Sequence, residues 1–151
     1  MFSLPVYVVA LQTRGEAPLL SSVAAKQVLA NLLKFYHQTG RFYLLAYCVH
    51  PRGVRLLLKP GPGYEFLSAL EALKRNSEQL VLKQLAREGK VTAALWHALY
   101  EEKTINSRPV LAYELDQLRY LPVRMGLVKH PADYQFCQTQ ASDDLDLALI
   151  S

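Results

Sequence analysis

Two apolar runs on either side of a short turn constrain the fold of this chain more than any other feature. The runs span residues 41–49 and 53–59, and a Pro-Arg-Gly sequence joins them. Short apolar runs that flank a turn of this composition are typical of paired antiparallel strands. The sequence therefore predicts a β-hairpin between residues 41 and 59.

The second strand of this hairpin has two different faces, because successive side chains along a strand alternate between the faces of a sheet. One face is wholly apolar and consists of Val54, Leu56 and Leu58. The opposite face consists of Gly53, Arg55, Leu57 and Lys59. This mixed face is the one that needs a functional explanation.

The patterns around the hairpin predict the remaining elements. Residues 6–13 have the β-branched and aromatic composition of a strand, and residues 95–105 are predicted to form another. Helical spacing of apolar residues predicts one helix that follows a cap at Ser21 or Ser22 and another over residues 66–88. Strand, helix, strand, strand, helix, strand is the ferredoxin-like order βαββαβ. We therefore expect an α+β domain, with an antiparallel sheet, helices on one face and a C-terminal helical extension.

Length and charge limit the class of protein. A chain of 151 residues is one domain in size, and its apolar runs are shorter than the ~18 residues of a membrane span, so a cytoplasmic protein is expected. The net charge is +4, but residues 141–151 contain three Asp and no Lys or Arg, so residues 1–140 carry +7. We predict a basic domain over residues 1–140, followed by a short acidic tail. Such a charge balance fits a nucleic-acid partner.

The hairpin sequence AYCVHPRGVRLLL, residues 46–58, resembles the segment AYVVMPNHVHLLL of the single-tyrosine HUH transposases. These are small bacterial insertion-sequence transposases and their relatives associated with repetitive extragenic palindromes (REP). In that family, two histidines on one strand face bind a divalent metal, and the matching positions here are Gly53 and Arg55. Glycine has no donor side chain, and a guanidinium has no lone pair to offer a metal. The resemblance thus implies a lost site for Mg or Mn, and no cofactor is expected.

Four further segments resemble the same family. Residues 72–78 match the segment SLKRRYTRY, which places the family's nucleophilic tyrosine at Ser77. Residues 95–101 are similar to LWQRRFYDR, residues 118–128 to LRYIHLNPVRAGLV, and residues 130–134 to the beginning of DPEDYPWSS. The resemblance therefore covers nearly the whole chain, and it implies a DNA transposition or recombination function.

Several polar and aromatic residues have both a functional and a structural interpretation. Ser77 lies in an apolar helical stripe, so it is either a substitute nucleophile or a small polar residue in a helix–sheet contact. His50 and His97 could rebuild a metal site, although isolated histidines are usually packing or surface residues. Trp96 and Tyr100 are either core residues or platforms for DNA bases.

These observations lead to one hypothesis and two alternatives. We expect a pocket between Gly53, Arg55 and Ser77 with no catalytic residue and no metal, in a protein that is not an active enzyme. Its partner is predicted to be hairpin or single-stranded DNA, bound as a monomer or a homodimer. The predicted DNA-binding residues are the basic side chains Arg52, Arg55, Lys59, Lys74, Arg75, Arg119 and Arg124. The alternatives are an active nicking transposase with substituted residues, and a protein-interaction module on the same fold.

Overall fold

The computed structural model describes residues 4–139, which contain five antiparallel strands, three α-helices and two three-residue 3-10 helices. The predicted acidic tail lies outside these residues. In chain order the elements are β1 (Val6–Gln12), α1 (Val23–Gln38), β2 (Phe42–His50), β3 (Gly53–Pro60), α2 (Phe66–Arg87), β4 (Glu101–Ile105), α3 (Arg108–Arg124) and β5 (Cys137–Thr139). Among the described helices, none has the length and apolar character needed to cross a membrane.

The strand order β4-β1-β3-β2-β5 confirms the predicted ferredoxin-like α+β fold. The hairpin is present as predicted, and His50 of β2 pairs with Gly53 of β3. Two features differ from the prediction. The fourth strand begins only at Glu101, and Trp96 makes a single bridge to Thr13 instead of extending it. A short fifth strand, which the sequence did not predict, pairs with the outer edge of β2.

Helices α1 and α2 cover the apolar face of β3. Ser22 caps α1, because its Oγ accepts a hydrogen bond of 3.0 Å from the backbone N–H of Ala25. The buried stripes of both helices then pack against this face in one cluster that includes Leu33, Tyr36, Val54, Leu56, Leu58, Leu73 and Val81. Two of the three helices are therefore committed to one side of the sheet.

Helix α3 covers the other face of the sheet and is the predicted C-terminal helical extension. Ser107 caps it, and Pro109 lies in its first turn, where the missing N–H has no cost. Its buried stripe packs with the second face of the sheet in a cluster that includes Val6, Val8, Cys48, Leu57, Leu111, Leu115 and Leu118. Strand β3 is thus buried on both faces, which explains its continuous run of three leucines.

The first residue of β3 has no space for a side chain. A Cβ atom at Gly53 would overlap the backbone carbonyl oxygen of Leu11 on β1 and lie 3.2 Å from the Cα of Gln12. Backbone atoms in the middle of a sheet cannot move aside as a flexible side chain can. Glycine is therefore required at this position for β1 and β3 to pair.

We predict that Gly53→Ala lowers the free energy of unfolding by about 2–4 kcal/mol, because β1 or β3 has to shift. Gly63→Ala is the matched control. Its left-handed backbone disfavours alanine, but nothing lies within 4 Å of the added atom, so a cost of only about 1 kcal/mol is expected. Urea denaturation measures both values. Equal losses would contradict the proposed overlap.

Candidate nucleic-acid interface

A three-residue ion cluster occupies the mixed face of β3. Arg55 Nη2 donates to Glu114 Oε2 of α3 at 3.0 Å, and Lys103 Nζ of β4 donates to Glu114 Oε1 at 2.8 Å. The Glu114 side chain is only 3% exposed, whereas that of Arg55 is 28% exposed. Both carboxylate oxygens therefore have a cationic partner, and Arg55 and Lys103 share one negative charge.

The ionisation of Glu114 depends on its two partners. Burial opposes the charged form, but the hydrogen bonds and charges of Lys103 and Arg55 outweigh burial and hold the pKa of Glu114 below its usual value. The carboxylate therefore stays ionised at neutral pH. The cluster links three elements of the fold, namely β3, β4 and α3.

The open pocket beside this cluster has a volume of about 420 Å³, and its lining consists of Val8, Ala10, Arg55, Glu101, Glu102 and Lys103. It adjoins the strand position at which the resemblance placed the metal. The residues present do not fit a metal, because Arg55 offers a cation and Gly53 has no room for a ligand side chain. Within residues 4–139, no three His, Cys, Asp or Glu side chains are grouped in a way that could hold a metal ion.

The predicted pocket between Gly53, Arg55 and Ser77 does not exist, so this part of the prediction was wrong. Ser77 is fully buried between α2 and the first face of the sheet. Its Oγ accepts a hydrogen bond of 2.9 Å from Trp96 Nε1 and donates one of 3.1 Å to the carbonyl of Lys74. Arg55 projects from the opposite face, toward α3. Ser77 faces the sheet, as predicted, but it does so from the α2 side, whereas Arg55 lies on the α3 side.

The position of Ser77 also bears on which residue could be the nucleophile. A side chain that acts together with a metal at positions 53 and 55 has to lie on the α3 side of the sheet, which Ser77 does not. Helix α3 carries two exposed tyrosines, Tyr113 at 58% and Tyr120 at 48% exposure. Tyr120 lies in the segment 118–128 that the sequence already linked to the family, and this was the signal that could have directed attention to α3. The hypothesis of lost catalysis now depends on Gly53 and Arg55 alone.

The two candidate histidines have local structural roles. The Nδ1 atom of His50 accepts a hydrogen bond from the backbone N–H of Arg52, and that of His97 accepts one from Leu99. Burial, together with the nearby charge of Arg52, lowers the pKa of His50 to about 4, so it is neutral at physiological pH. Each imidazole nitrogen that accepts such a bond has its lone pair occupied.

The aromatic candidates Trp96 and Tyr100 are packing residues. Trp96 is 6% exposed and belongs to the first core cluster, so the core interpretation is confirmed. Tyr100 is half-buried, and the Nζ atom of Lys74 lies 5.1 Å from the centre of its ring. The Lys74 ammonium thus covers one face of the Tyr100 ring in a cation–π contact.

The predicted DNA-binding residues divide between the two sides of the sheet. Lys74 and Arg75 lie on α2 on one side, whereas Arg119 and Arg124 lie on α3 on the other. Arg55 and Lys59 also project toward the α3 side, and Lys59 Nζ donates to the carbonyl of Pro5 at 3.3 Å. Arg52 is exposed in the hairpin turn. The seven residues therefore do not form one continuous surface.

A second pocket on the α3 side combines an aromatic ring with basic charge. This pocket, the Tyr120 groove, has a volume of about 390 Å³ and is lined by Leu118, Arg119, Tyr120, Pro131, Ala132, Cys137 and Thr139. Arg119 lies 3.7 Å from Asp116, and Arg124 Nη2 donates to the carbonyl of Gln117 at 2.6 Å. Exposed aromatic rings beside arginines are typical of surfaces that bind single-stranded nucleic acid.

The fold and this arrangement define a class, namely a ferredoxin-like α+β domain whose third helix covers the second face of the sheet. Solved structures with a similar fold include the following two. A REP-associated tyrosine transposase bound to a REP hairpin superposes with a TM-score of 0.68 and 18% identity, over 88% of this chain and 75% of that one. A candidate transposase from Deinococcus radiodurans superposes with a TM-score of 0.58 and 20% identity, over 77% of this chain and 93% of that one. No family model and no curated protein matches the sequence. The chain therefore has the fold of these transposases.

We predict that Glu114→Gln lowers the free energy of unfolding by about 1–3 kcal/mol near pH 7, because Arg55 and Lys103 lose their shared anion. The folded pKa of Glu114 is below its usual value. Its stabilising effect is therefore complete above about pH 4.3 and disappears as the pH falls through the folded pKa. Urea denaturation at several pH values should show the difference from wild type shrinking in acid.

The control for this variant is Asp116→Asn. Asp116 is exposed on the same helix and lies 3.7 Å from Arg119, so a change below about 0.5 kcal/mol is expected. Similar losses in the two variants, or a loss for Glu114→Gln that does not change with pH, would contradict the role of the ion cluster.

We also predict that Ser77→Ala destabilises the protein by about 1–3 kcal/mol, because Trp96 Nε1 becomes a buried donor without its acceptor. The chain has one tryptophan, so its fluorescence during unfolding reports on this site alone. Ser68→Ala, on the exposed side of α2, should change stability by less than about 0.5 kcal/mol. If both variants unfold like wild type, Ser77 does not hold Trp96 in place.

Proposed function

We propose that this chain is a member of the single-tyrosine transposase family that binds hairpin or single-stranded DNA without cleaving it. The observation that carries the proposal is the ion cluster of Arg55, Glu114 and Lys103 at the strand position where the family binds its metal. The shared fold, the REP hairpin bound to one neighbour and the +7 charge of residues 1–140 also support it. A DNA-binding role fits the cytoplasmic location expected from the sequence.

The α3 side of the sheet is the more suitable DNA-binding surface. It carries the exposed Tyr113 and Tyr120, the Tyr120 groove, Arg119 and Arg124. On the α2 side, Lys74 already contacts Tyr100, and Glu71 and Glu78 line the same pocket as Arg75. Phosphate contacts by arginine and base stacking by tyrosine supply both affinity and tolerance of sequence.

Arg55 contributes little charge to such a surface. Its guanidinium is paired with a nearly buried carboxylate, so a phosphate would have to compete with Glu114 for it. A DNA contact by Arg55 stays a prediction, as do those by Arg52 and Lys59. The proposal therefore rests on Arg119 and Arg124 of α3. Arg124 is exposed, and the carboxylate near Arg119, that of Asp116, is 66% exposed whereas that of Glu114 is 3% exposed.

Without a metal, the chain lacks the group that polarises the phosphodiester in this family. Cleavage would then have to proceed without electrostatic stabilisation of the attacked phosphate. The alternative is an active nicking enzyme, and the exposed tyrosines of α3 are the observation that favours it. A tyrosine on α3 could still attack a phosphate if another charge replaced the metal.

The DNA-binding proposal predicts different effects for two variants with the same change in charge. Arg119→Gln/Arg124→Gln should weaken binding of a labelled DNA hairpin with single-stranded flanks by about 10-fold or more and reduce the salt slope by about 2. Lys74→Gln/Arg75→Gln should bind within about threefold of wild type. Fluorescence anisotropy over a range of salt concentrations measures both properties.

Two results would overturn this proposal. Equal weakening by the two double variants would contradict a site on α3. Failure of the wild-type chain to bind hairpin, single-stranded and duplex DNA at low salt would favour the protein-interaction module instead. The fraction of dimer, measured on the same samples, distinguishes the monomer from the homodimer.

Incubation of the hairpin with Mg²⁺ or Mn²⁺ tests the absence of cleavage. No product and no covalent protein–DNA adduct are expected. If an adduct forms, Tyr113→Phe and Tyr120→Phe identify the attacking residue, and the chain is an active nicking enzyme.

A further inference from the structure

The two cysteines of the chain lie directly opposite each other in the sheet. Cys48 of β2 and Cys137 of β5 are partners in the antiparallel register, so their side chains lie on the same face. Opposed residues of this kind have Cα atoms about 4.5–5.5 Å apart. This separation falls within the range that a disulfide bond can span.

The two thiols differ in their access to solvent. Cys48 is fully buried, whereas Cys137 is partly exposed and lines the Tyr120 groove. The Sγ atom of Cys137 also lies 3.4 Å from the carbonyl oxygen of Leu118. A small soluble oxidant can therefore reach Cys137 but not Cys48.

The electrostatic environment favours the thiolate form at the exposed position. The hydrogen bond from Cys48 and the charge of Arg119 lower the pKa of Cys137 in spite of its burial. The same hydrogen bond, together with burial, raises the pKa of Cys48. Thiolates, not thiols, attack oxidants, so Cys137 is the reactive member of the pair.

We propose that Cys48 and Cys137 form an oxidisable dithiol site whose substrate is hydrogen peroxide. The Cys137 thiolate attacks one peroxide oxygen, the O–O bond breaks, and a sulfenic acid forms as hydroxide leaves and takes up a proton as water. The Cys48 sulfur then attacks the sulfenic sulfur, and the hydroxyl departs with the Cys48 proton as a second water. One peroxide is reduced to two waters while two thiols are oxidised to one disulfide.

The disulfide between Cys48 and Cys137 would link β5, the last strand of the described fold, covalently to β2. Strand β5 has only three residues, and three register pairs hold it to β2. The bond would close a long loop that contains α2, β4 and α3, and long loops gain the most from closure. Oxidation therefore fixes β5 beside the Tyr120 groove. This inference does not depend on the proposed DNA binding.

The experiment treats the folded wild-type chain with a small excess of hydrogen peroxide, alkylates the remaining thiols and identifies peptides by mass spectrometry. We expect the intact chain to lose two hydrogen atoms, both cysteines to escape alkylation, and one cross-linked peptide pair to contain Cys48 and Cys137. The melting temperature should rise by about 5–15 °C and return to its initial value after reduction.

Three comparisons make the result decisive. Cys48→Ser should stop at the sulfenic or sulfinic acid of Cys137, whereas Cys137→Ser should leave Cys48 unreactive in the folded chain. Wild type in urea should form the bond more slowly, because the strand pairing that aligns the sulfurs is lost. Over-oxidised Cys137 beside an unreacted Cys48 in the folded wild type, or cross-links only between chains, would overturn the proposal.

Discussion

The burial of β3 on both faces is the constraint on which the rest of this structure depends. Each face meets its own layer of helices, so the alternation along one strand decides which layer every side chain joins. An apolar residue can pack against either layer of helices. A charged residue in the middle of the strand needs a partner of opposite charge from the layer that it faces, because an unpaired buried charge is strongly destabilising. Arg55 meets this condition through Glu114.

The ion pair of Arg55 and Glu114 distinguishes two roles of a positive charge at this position, namely holding the fold together and attracting phosphate. In a metal site, a cation held by neutral ligands keeps its charge available for phosphate. In this chain the cation is a side chain, and it is bound to a carboxylate of α3 that it shares with Lys103. Arg55 therefore holds β3 to α3, and the proposed attraction for a polyanion rests mainly on Arg119 and Arg124 of α3.

Much of the fold could be predicted because the signals are local. The hairpin follows from alternation and turn composition, and α1 begins at a serine cap. Segment 95–100 has a strand-like composition but no strand, because Glu78 and Ser77 of α2 bond Trp96 at its backbone and ring. Strand β5 is too short to give a pattern.

The predicted position of Ser77 relative to Arg55 was wrong. Helical and strand periodicity orient side chains within an element, but they do not say which side of the sheet a helix covers. The partnership of Arg55 and Glu114 joins residues 59 positions apart, which no local pattern can predict.

The close contact of Gly53 with β1 has a consequence for reversibility. Loss of a metal ligand by mutation is usually thought of as a change that a single substitution can undo. Here the two strands have approached so closely that any new side chain at this position meets the main chain of β1 first. A metal-ligating side chain at this position would therefore require β1 and β3 to move apart. The absence of a side chain at position 53 and the close spacing of β1 and β3 therefore depend on each other.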